Sequence, residues 1–181
     1  IIAYGCTSGT IAIGSKKIKE EVNKTKPNAK VTTPITAALK AFKHLSLKNI
    51  AVLTPYPKDV NLTVYNYLND NNINVDSFSS FNLEYDSEIA QVSLDSLEKE
   101  IAKIDLSKVD GLFVSCTALK IVDVLDRIEK KQNTIVISSN QAIIWDCLRS
   151  VGVDSKINGY GKLLVSWNMK FLNQIDLNYF D

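Results

Sequence analysis

Residues 50–54 read IAVLT, a short β-branched segment that is apolar on both faces of a predicted strand. The segments GLFVS at residues 111–115 and TIVIS at residues 134–138 have the same pattern. A strand that is apolar on both faces is typical of a parallel sheet covered by helices on each side. These three segments therefore decide the class of fold that we expect.

Short apolar runs alternate with amphipathic stretches along the rest of the chain. The predicted strands are residues 1–4, 29–33, 50–54, 73–78, 111–115 and 134–138. The predicted helices are residues 10–23, 35–45, 60–69, 87–104, 118–131 and 141–151. Strands that alternate with helices in this way predict an α/β fold with parallel sheets flanked by helices.

The composition is that of an ordinary globular protein of 181 residues, 45% of them hydrophobic and 23% charged. The 21 Lys and Arg residues nearly balance the 20 Asp and Glu residues, so the chain has no general electrostatic attraction for nucleic acid or a membrane surface. No apolar run approaches the ~18–20 residues of a membrane span, and no signal peptide is recognisable. We expect a cytoplasmic protein without nucleic-acid or membrane partners.

The cysteine and histidine content argues against the common zinc sites. Cys6, Cys116 and Cys147 form no C-x-x-C pair, and His44 is the single histidine. We therefore expect reduced thiols and no bound metal. Cys147 lies inside a predicted helix beside apolar residues, so we expect it to belong to the core.

The sequence contains a weak internal duplication, because IIAYGCT at residues 1–7 resembles GLFVSCT at residues 111–117. Each copy is an apolar strand followed by a Cys-Thr pair. Two further strand–helix units precede the second copy, whereas the first copy opens the chain. We therefore expect two similar lobes, residues 1–46 with 152–181 and residues 47–151, of which the first lacks its N-terminal strands.

Both Cys-Thr pairs are predicted at the carboxyl end of a parallel strand and in the first turn of the next helix. Ligands bind at this edge of an open α/β sheet, and the free N–H groups of a helix start favour a thiolate. Two thiols that face each other across a cleft can act as base and acid on opposite faces of one substrate. The hydroxyl and N–H groups of Thr7, Ser8 and Thr117 can hold a carboxylate. The alternative, that both cysteines are ordinary buried packing residues, is equally open.

Five short segments stand in an order and at spacings shared with a known superfamily. They are YGCTSGT (residues 4–10), LTPYPKDVN (53–61), FNLEYDSEIAQV (81–92), VSCTAL (114–119) and SSNQAIIWDCLR (138–149). Together they resemble the Asp/Glu racemase superfamily, and most of all its maleate isomerase and arylmalonate decarboxylase branch. The resemblance implies two pseudo-symmetric α/β lobes, an active site in the cleft between them, and no metal or organic cofactor.

The resemblance also implies roles for individual residues. Cys6 resembles the nucleophile of the isomerases and Cys116 its acid–base partner, and in the racemases the same pair exchanges an α-proton. Thr7, Ser8 and Tyr56 match residues that hold a carboxylate. The decarboxylases resemble this chain at Cys116 but have glycine at the position of Cys6, which argues against decarboxylation. The opening Pro-Ser-x-Asn segment of the family, which supplies a substrate-binding asparagine, has no match here.

Further residues follow the ends of predicted strands. Asn82, Tyr85 and Asp86 are candidates to reach the cleft, with Asn82 as a candidate substrate-binding residue, whereas we expect Asp86 or Ser87 to cap the following helix instead. Ser139 and Asn140 suit carboxylate binding and helix capping equally well.

Taken together, these patterns and the resemblance predict a cofactor-independent isomerase that acts on a small carboxylate or dicarboxylate, with cis–trans isomerisation of maleate preferred. The alternatives are a racemase of an Asp- or Glu-type amino acid, an arylmalonate-type decarboxylase, and a non-catalytic carboxylate-binding protein on the same scaffold. The resemblance further implies a homodimer or a larger homo-oligomer.

Overall fold

Strands and helices alternate along residues 1–166, the part of the chain that this computed structural model describes. The strands are β1 (Ile2–Ala3), β2 (Val31–Thr32), β3 (Asn49–Thr54), β4 (Asn74–Ser80), β5 (Gly111–Val114) and β6 (Ile135–Ser138). The helices are α1 (Thr7–Ile13), α2 (Ser15–Thr25), α3 (Pro34–Leu45), α4 (Lys58–Asp70), α5 (Asp86–Ile89), α6 (Leu94–Lys103), α7 (Leu125–Gln132), α8 (Ser139–Ser150) and α9 (Lys162–Val165). The expected packing of residues 167–181 onto the first lobe lies outside the described residues.

The strands form two parallel sheets. β1 pairs with β2, and the other four strands pair in the order β4-β3-β5-β6. In the larger sheet Leu53 of β3 lies opposite Val114 of β5, which lies opposite Ser138 of β6. The carboxyl ends of these strands therefore meet at one edge. This architecture confirms the predicted α/β class with parallel sheets flanked by helices.

The core lies on both faces of the larger sheet, where every residue of β5 is buried. Phe42 of α3 packs edge-on against Phe113 of β5, with 5.3 Å between the ring centroids. Helix α3 also packs along α8. The apolar core therefore runs without a break from α3 into the larger sheet, and the division of the chain into two lobes stays a prediction.

A buried carboxylate ties the smaller sheet to α8. Asp146 accepts hydrogen bonds from the Thr32 hydroxyl and from the Lys40 ammonium, whose Nζ lies 2.8 Å from Oδ2. Asp146 and Thr32 are both buried, whereas Lys40 remains partly in solvent. This cluster therefore fixes β2 and α3 against α8 next to the edge where the strands end.

Two predicted helices are divided in the structure. The helix predicted at residues 10–23 breaks at Gly14, whose φ of 90° lies in the left-handed region that favours glycine. The helix predicted at 87–104 becomes α5 and α6, because Ser93 accepts the N–H of Ser96 and begins a second helix there.

Within residues 1–166, no helix has both the length and the hydrophobicity to cross a bilayer.

Candidate active site

Cys6 is held at the junction of β1 and α1. Its sulfur accepts the N–H of Gly9 at 3.3 Å, so Cys6 is the N-cap residue of α1, and the Ser8 hydroxyl lies 4.0 Å away. Gly9 has no room for a side chain, since a Cβ atom would lie 2.8 Å from the Cys6 sulfur. The half-buried thiol is therefore fixed in one orientation at the start of the helix.

Cys116 follows β5 and is buried. Its φ of 117° lies in a region that non-glycine residues rarely adopt, which costs about 1–3 kcal/mol unless surrounding contacts hold it. Two contacts do so: its N–H donates to the Ser139 hydroxyl at 3.0 Å, and its sulfur accepts the N–H of Ala118 at 3.4 Å. Strain of this kind clusters at functional sites.

The expectation that Cys116 begins a helix is wrong. Residues 116–121 form a loop, a short 3₁₀ turn covers Val122–Val124, and α7 begins at Leu125. Burial raises the pKa of the Cys116 thiol and the negative charge of Asp86 adds to the rise, although the Tyr56 hydroxyl and nearby N–H groups act against it. Without a helix start beside it, Cys116 is a thiol that keeps its proton.

The two cysteine-bearing loops lie side by side. The Thr7 hydroxyl donates to the Ser139 hydroxyl oxygen at 3.0 Å, and that oxygen also accepts the Cys116 N–H. Thr117 donates its hydroxyl to the carbonyl of Gly5 at 2.7 Å. One buried serine and one threonine thus connect the residues that flank Cys6 to the residues that flank Cys116.

Tyr56 spans the space between the loops. It lies just beyond the end of β3, its side chain is buried, and its hydroxyl interacts with Ser8 and with Cys116. Burial raises the pKa of Tyr56 far above its usual value, and the adjacent Cys116 adds to the rise. The phenol therefore stays protonated and is able to donate a hydrogen bond, and its predicted role in holding a carboxylate stays a prediction.

The remaining predicted binding residues differ in their placement. Ser8 is half-buried between Cys6 and Tyr56, whereas the hydroxyls of Thr7 and Thr117 are used in the contacts between loops. The side chain of Asn82 is exposed, and its N–H donates to Ser80 at 3.0 Å. Substrate binding by all four residues stays a prediction.

Ser139 has a different role from the two that the sequence suggested, carboxylate binding and helix capping. Ser138 caps α8 by accepting the N–H of Gln141, which leaves Ser139 available to both cysteine loops. The interpretation of Asp86 as a helix cap is wrong, because Tyr85 is the N-cap of α5 and its N–H donates to Glu88. The only sequence signal for Ser139 was its position just after a strand.

Residues 1–166 bring together no group of three or more His, Cys, Asp or Glu side chains that could hold a metal ion. The groups around the two thiols that we have described are hydroxyls and backbone N–H groups. Such groups bind a carboxylate and support proton transfer by the thiols themselves.

We expect Ser139→Ala to lower kcat for the reaction of this site by about tenfold or more and to change KM little, because the variant leaves the Thr7 hydroxyl and the Cys116 N–H without their shared acceptor. The free energy of unfolding should fall by about 1–3 kcal/mol, since both donors are buried. Steady-state kinetics and urea unfolding measure the two effects.

Ser138→Ala is the matched control for that experiment. It removes the cap of α8 and should cost about 1 kcal/mol of stability, but it leaves both cysteine loops connected. Equal losses of kcat in the two variants would show that Ser139 has no specific role in positioning the thiols.

Comparison with known proteins gives consistent matches. The sequence profile of the arylmalonate decarboxylase family matches residues 15–164. The arylmalonate decarboxylase of Bordetella bronchiseptica is 27% identical over 135 residues, which cover 73% of this chain and 56% of that protein. The maleate isomerase of Pseudomonas putida is 22% identical over 91% of this chain and 69% of its own length.

A solved structure matches over most of the chain. It is the Nocardia farcinica maleate cis–trans isomerase, in a cysteine-to-serine variant with a covalently bound succinylcysteine intermediate. The TM-score is 0.86 with 19% identity, and the match covers 93% of this chain and 72% of that one. The two chains therefore share a fold.

Proposed function

The chain belongs to the arylmalonate decarboxylase family. Within that family, we propose that it is a cofactor-independent cis–trans isomerase of a maleate-like carboxylate. The observation that supports the proposal is the convergence of two cysteine loops on Ser139, with Tyr56 between Ser8 and Cys116. The chain spans 56% of the length of the Bordetella decarboxylase. The proposal therefore concerns the site that Cys6, Tyr56, Cys116 and Ser139 form in this chain.

In the first step the Cys6 thiolate adds to one carbon of the cis double bond. A carbon–sulfur bond forms, and the π electrons move to the neighbouring carbon and into its carboxylate group. Hydroxyl donors beside that carboxylate stabilise the added negative charge, and we assign this role to Ser8, which lies beside Cys6, and to Tyr56, which interacts with Ser8 and Cys116. Tyr56 is suited to this role because it remains protonated.

In the second step the Cys116 thiol donates its proton to the carbanion, which leaves a succinyl group on Cys6. The former double bond is now a single bond and can rotate. The Cys116 thiolate then removes a proton from the same carbon, the carbon–sulfur bond breaks, and the trans product leaves with Cys6 restored as thiolate. A raised pKa suits Cys116 to both transfers, because the thiol holds its proton at rest and the thiolate is a stronger base.

The succinylcysteine of the Nocardia farcinica enzyme is the kind of adduct that this sequence of steps requires. Decarboxylation is the second candidate, since the family profile and the Bordetella relative carry that name. It needs one proton donor and gives no role to a second thiol, so the placement of Cys6 favours isomerisation. Racemisation of an acidic amino acid would use the same two thiols.

The three cysteines provide a direct test by alkylation. We expect iodoacetamide to modify Cys6 before Cys116, because Cys6 is more accessible and burial raises the pKa of Cys116. Cys147 is the internal control: it is partly exposed, but burial also raises the pKa of its thiol, so it should react slowly at neutral pH. Peptide mass spectrometry assigns each modified site.

The decisive comparison adds maleate, aspartate or an arylmalonate before the reagent. Maleate should protect Cys6 and leave the rate at Cys147 unchanged, and NMR of the same mixtures should reveal conversion to the trans isomer. Modification of Cys6 at an unchanged rate with all three compounds, and no product from any of them, would contradict the proposed function.

A further inference from the structure

The turn between β3 and α4 carries Tyr56 into the candidate site. It reads TPYP at residues 54–57 and follows the point where β3 lies beside β5. There the Leu53 carbonyl accepts the N–H of Ser115 at 2.9 Å, so the residues after β3 run next to Cys116. The turn therefore determines where the buried Tyr56 side chain lies relative to the Cys116 thiol.

Two prolines leave this turn with few backbone donors. Pro55 and Pro57 flank Tyr56 and have no N–H group, so neither can donate a backbone hydrogen bond that would hold the turn. Residues 54–56 are buried, and buried backbone polar groups need partners. The Tyr56 N–H finds one in the Thr54 hydroxyl at 3.3 Å. Side chains therefore take over the task of holding Tyr56.

The Tyr56 carbonyl is held by Asn61, a half-buried residue in the first turn of α4. Nδ2 of Asn61 donates to that carbonyl at 2.7 Å. The hydroxyl of Thr54, which is fully buried, donates to Oδ1 of the same amide. This second contact fixes the orientation of the amide, because the nitrogen that carries the hydrogens must then face Tyr56.

Asn61 is the more constrained of two donors to this carbonyl. The Ser80 hydroxyl also donates to it at 2.6 Å, but Ser80 is exposed at the end of β4. The backbone of Asn61 is held in α4, where its N–H donates to the Pro57 carbonyl at 3.0 Å. Its side chain therefore connects the start of a helix to the backbone of Tyr56. The connection matters because a displacement of ~1 Å in a site can cost about 10²-fold in rate.

We propose that Asn61 is a positioning residue of the candidate site, and that it acts through the Tyr56 backbone to fix the phenol that holds the substrate carboxylate. The inference rests on the proposed function, which gives Tyr56 that role. The contacts of the Asn61 amide are to the Tyr56 carbonyl and the Thr54 hydroxyl, so its effect on the substrate passes through Tyr56. The loss of Asn61 therefore weakens carboxylate binding only in a protein that has the Tyr56 hydroxyl.

The test is a double-mutant cycle that measures maleate binding by calorimetry, with every variant on a Cys6→Ser background that prevents covalent reaction. Asn61→Ala should weaken maleate binding by about tenfold, because the phenol is no longer held in place. In Tyr56→Phe, which lacks the hydroxyl, the same substitution should change the affinity by less than about twofold. A general loss of structure would instead weaken binding by the same factor in both backgrounds.

Asn71→Ala is the matched control. Asn71 follows the other end of α4, and its Nδ2 donates to the Tyr67 carbonyl at 2.8 Å, so the variant removes the same kind of hydrogen bond away from the site. It should leave maleate binding unchanged. Thr54→Val is the second variant, and it decides the question if Asn61→Ala does not fold. It removes the hydroxyl that orients the Asn61 amide, and it should weaken maleate binding in the parent and little in Tyr56→Phe.

The outcomes separate the inference from the proposed function. Unchanged maleate binding in Asn61→Ala, or an equal loss with and without the Tyr56 hydroxyl, overturns the inference. Turnover of maleate by the chain with Cys6 intact would then show that the proposed function stands without it. If Tyr56→Phe binds maleate as tightly as the parent, or if the parent does not bind maleate, the role that the proposed function gives to Tyr56 fails together with the inference.

Discussion

We expect Cys6→Ala to abolish the proposed cis–trans isomerisation, with a fall in kcat of at least about 10³-fold, because the variant removes the group that would form the bond to substrate. Neither other thiol takes its place in the proposed reaction, since Cys116 supplies the proton there and Cys147 sits within α8. Proton NMR of the vinyl signals of substrate and product measures the rate directly.

Cys6→Ser separates the chemistry from the fold. The Cys6 sulfur caps α1 by accepting the N–H of Gly9, so Cys6→Ala also costs about 1 kcal/mol of stability. A serine hydroxyl keeps that hydrogen bond and is a poor nucleophile without a base, so Cys6→Ser should be as stable as the parent and as inactive as Cys6→Ala. Cys147→Ala is the control at a cysteine outside the site. Activity of Cys6→Ser within tenfold of the parent would exclude Cys6 as the nucleophile.

The class of fold was predictable because it depends on short-range patterns. Strands β3, β5 and β6 are apolar on both faces in the sequence, and helix layers cover them in the structure. Helix boundaries were less predictable. A single glycine such as Gly14 does not by itself end a predicted helix. The helix divides there because the backbone of Gly14 adopts a positive φ, which the sequence pattern does not reveal.

The candidate site was predictable where it depends on strand ends, and less so where it depends on contacts between distant residues. The sequence predicted that Cys6, Cys116 and Tyr56 each follow a strand, and in the structure they follow β1, β5 and β3. It left Ser139 between carboxylate binding and helix capping, because its role depends on Ser138 capping α8 and on the Ser139 hydroxyl pointing toward Thr7. The sequence also did not predict the direction of the pKa shift at Cys116. A helix start would favour the thiolate, but burial of Cys116 raises the pKa of its thiol.

Cys116→Ser should convert the enzyme into one that forms the adduct on Cys6 and fails to release it. The serine hydroxyl can give a proton to the carbanion, but the alkoxide that remains takes a proton back from water, so the variant holds no base that could remove the proton and restore the double bond. We expect kcat to fall by at least about 10²-fold. Intact-protein mass spectrometry should reveal a gain of one substrate molecule, which peptide mapping assigns to Cys6.

The pH dependence supplies an independent check on Cys116. The parent needs this thiol protonated for the second step, so activity should fall as the pH rises through its pKa. Because burial raises that pKa, the fall begins at a higher pH than for an ordinary cysteine. The residual activity of Cys116→Ser should lose this alkaline fall, because serine does not titrate there. Suppose that the activity of Cys116→Ser still falls at high pH as in the parent and that no adduct forms on Cys6. The proton transfer would then belong to a different group.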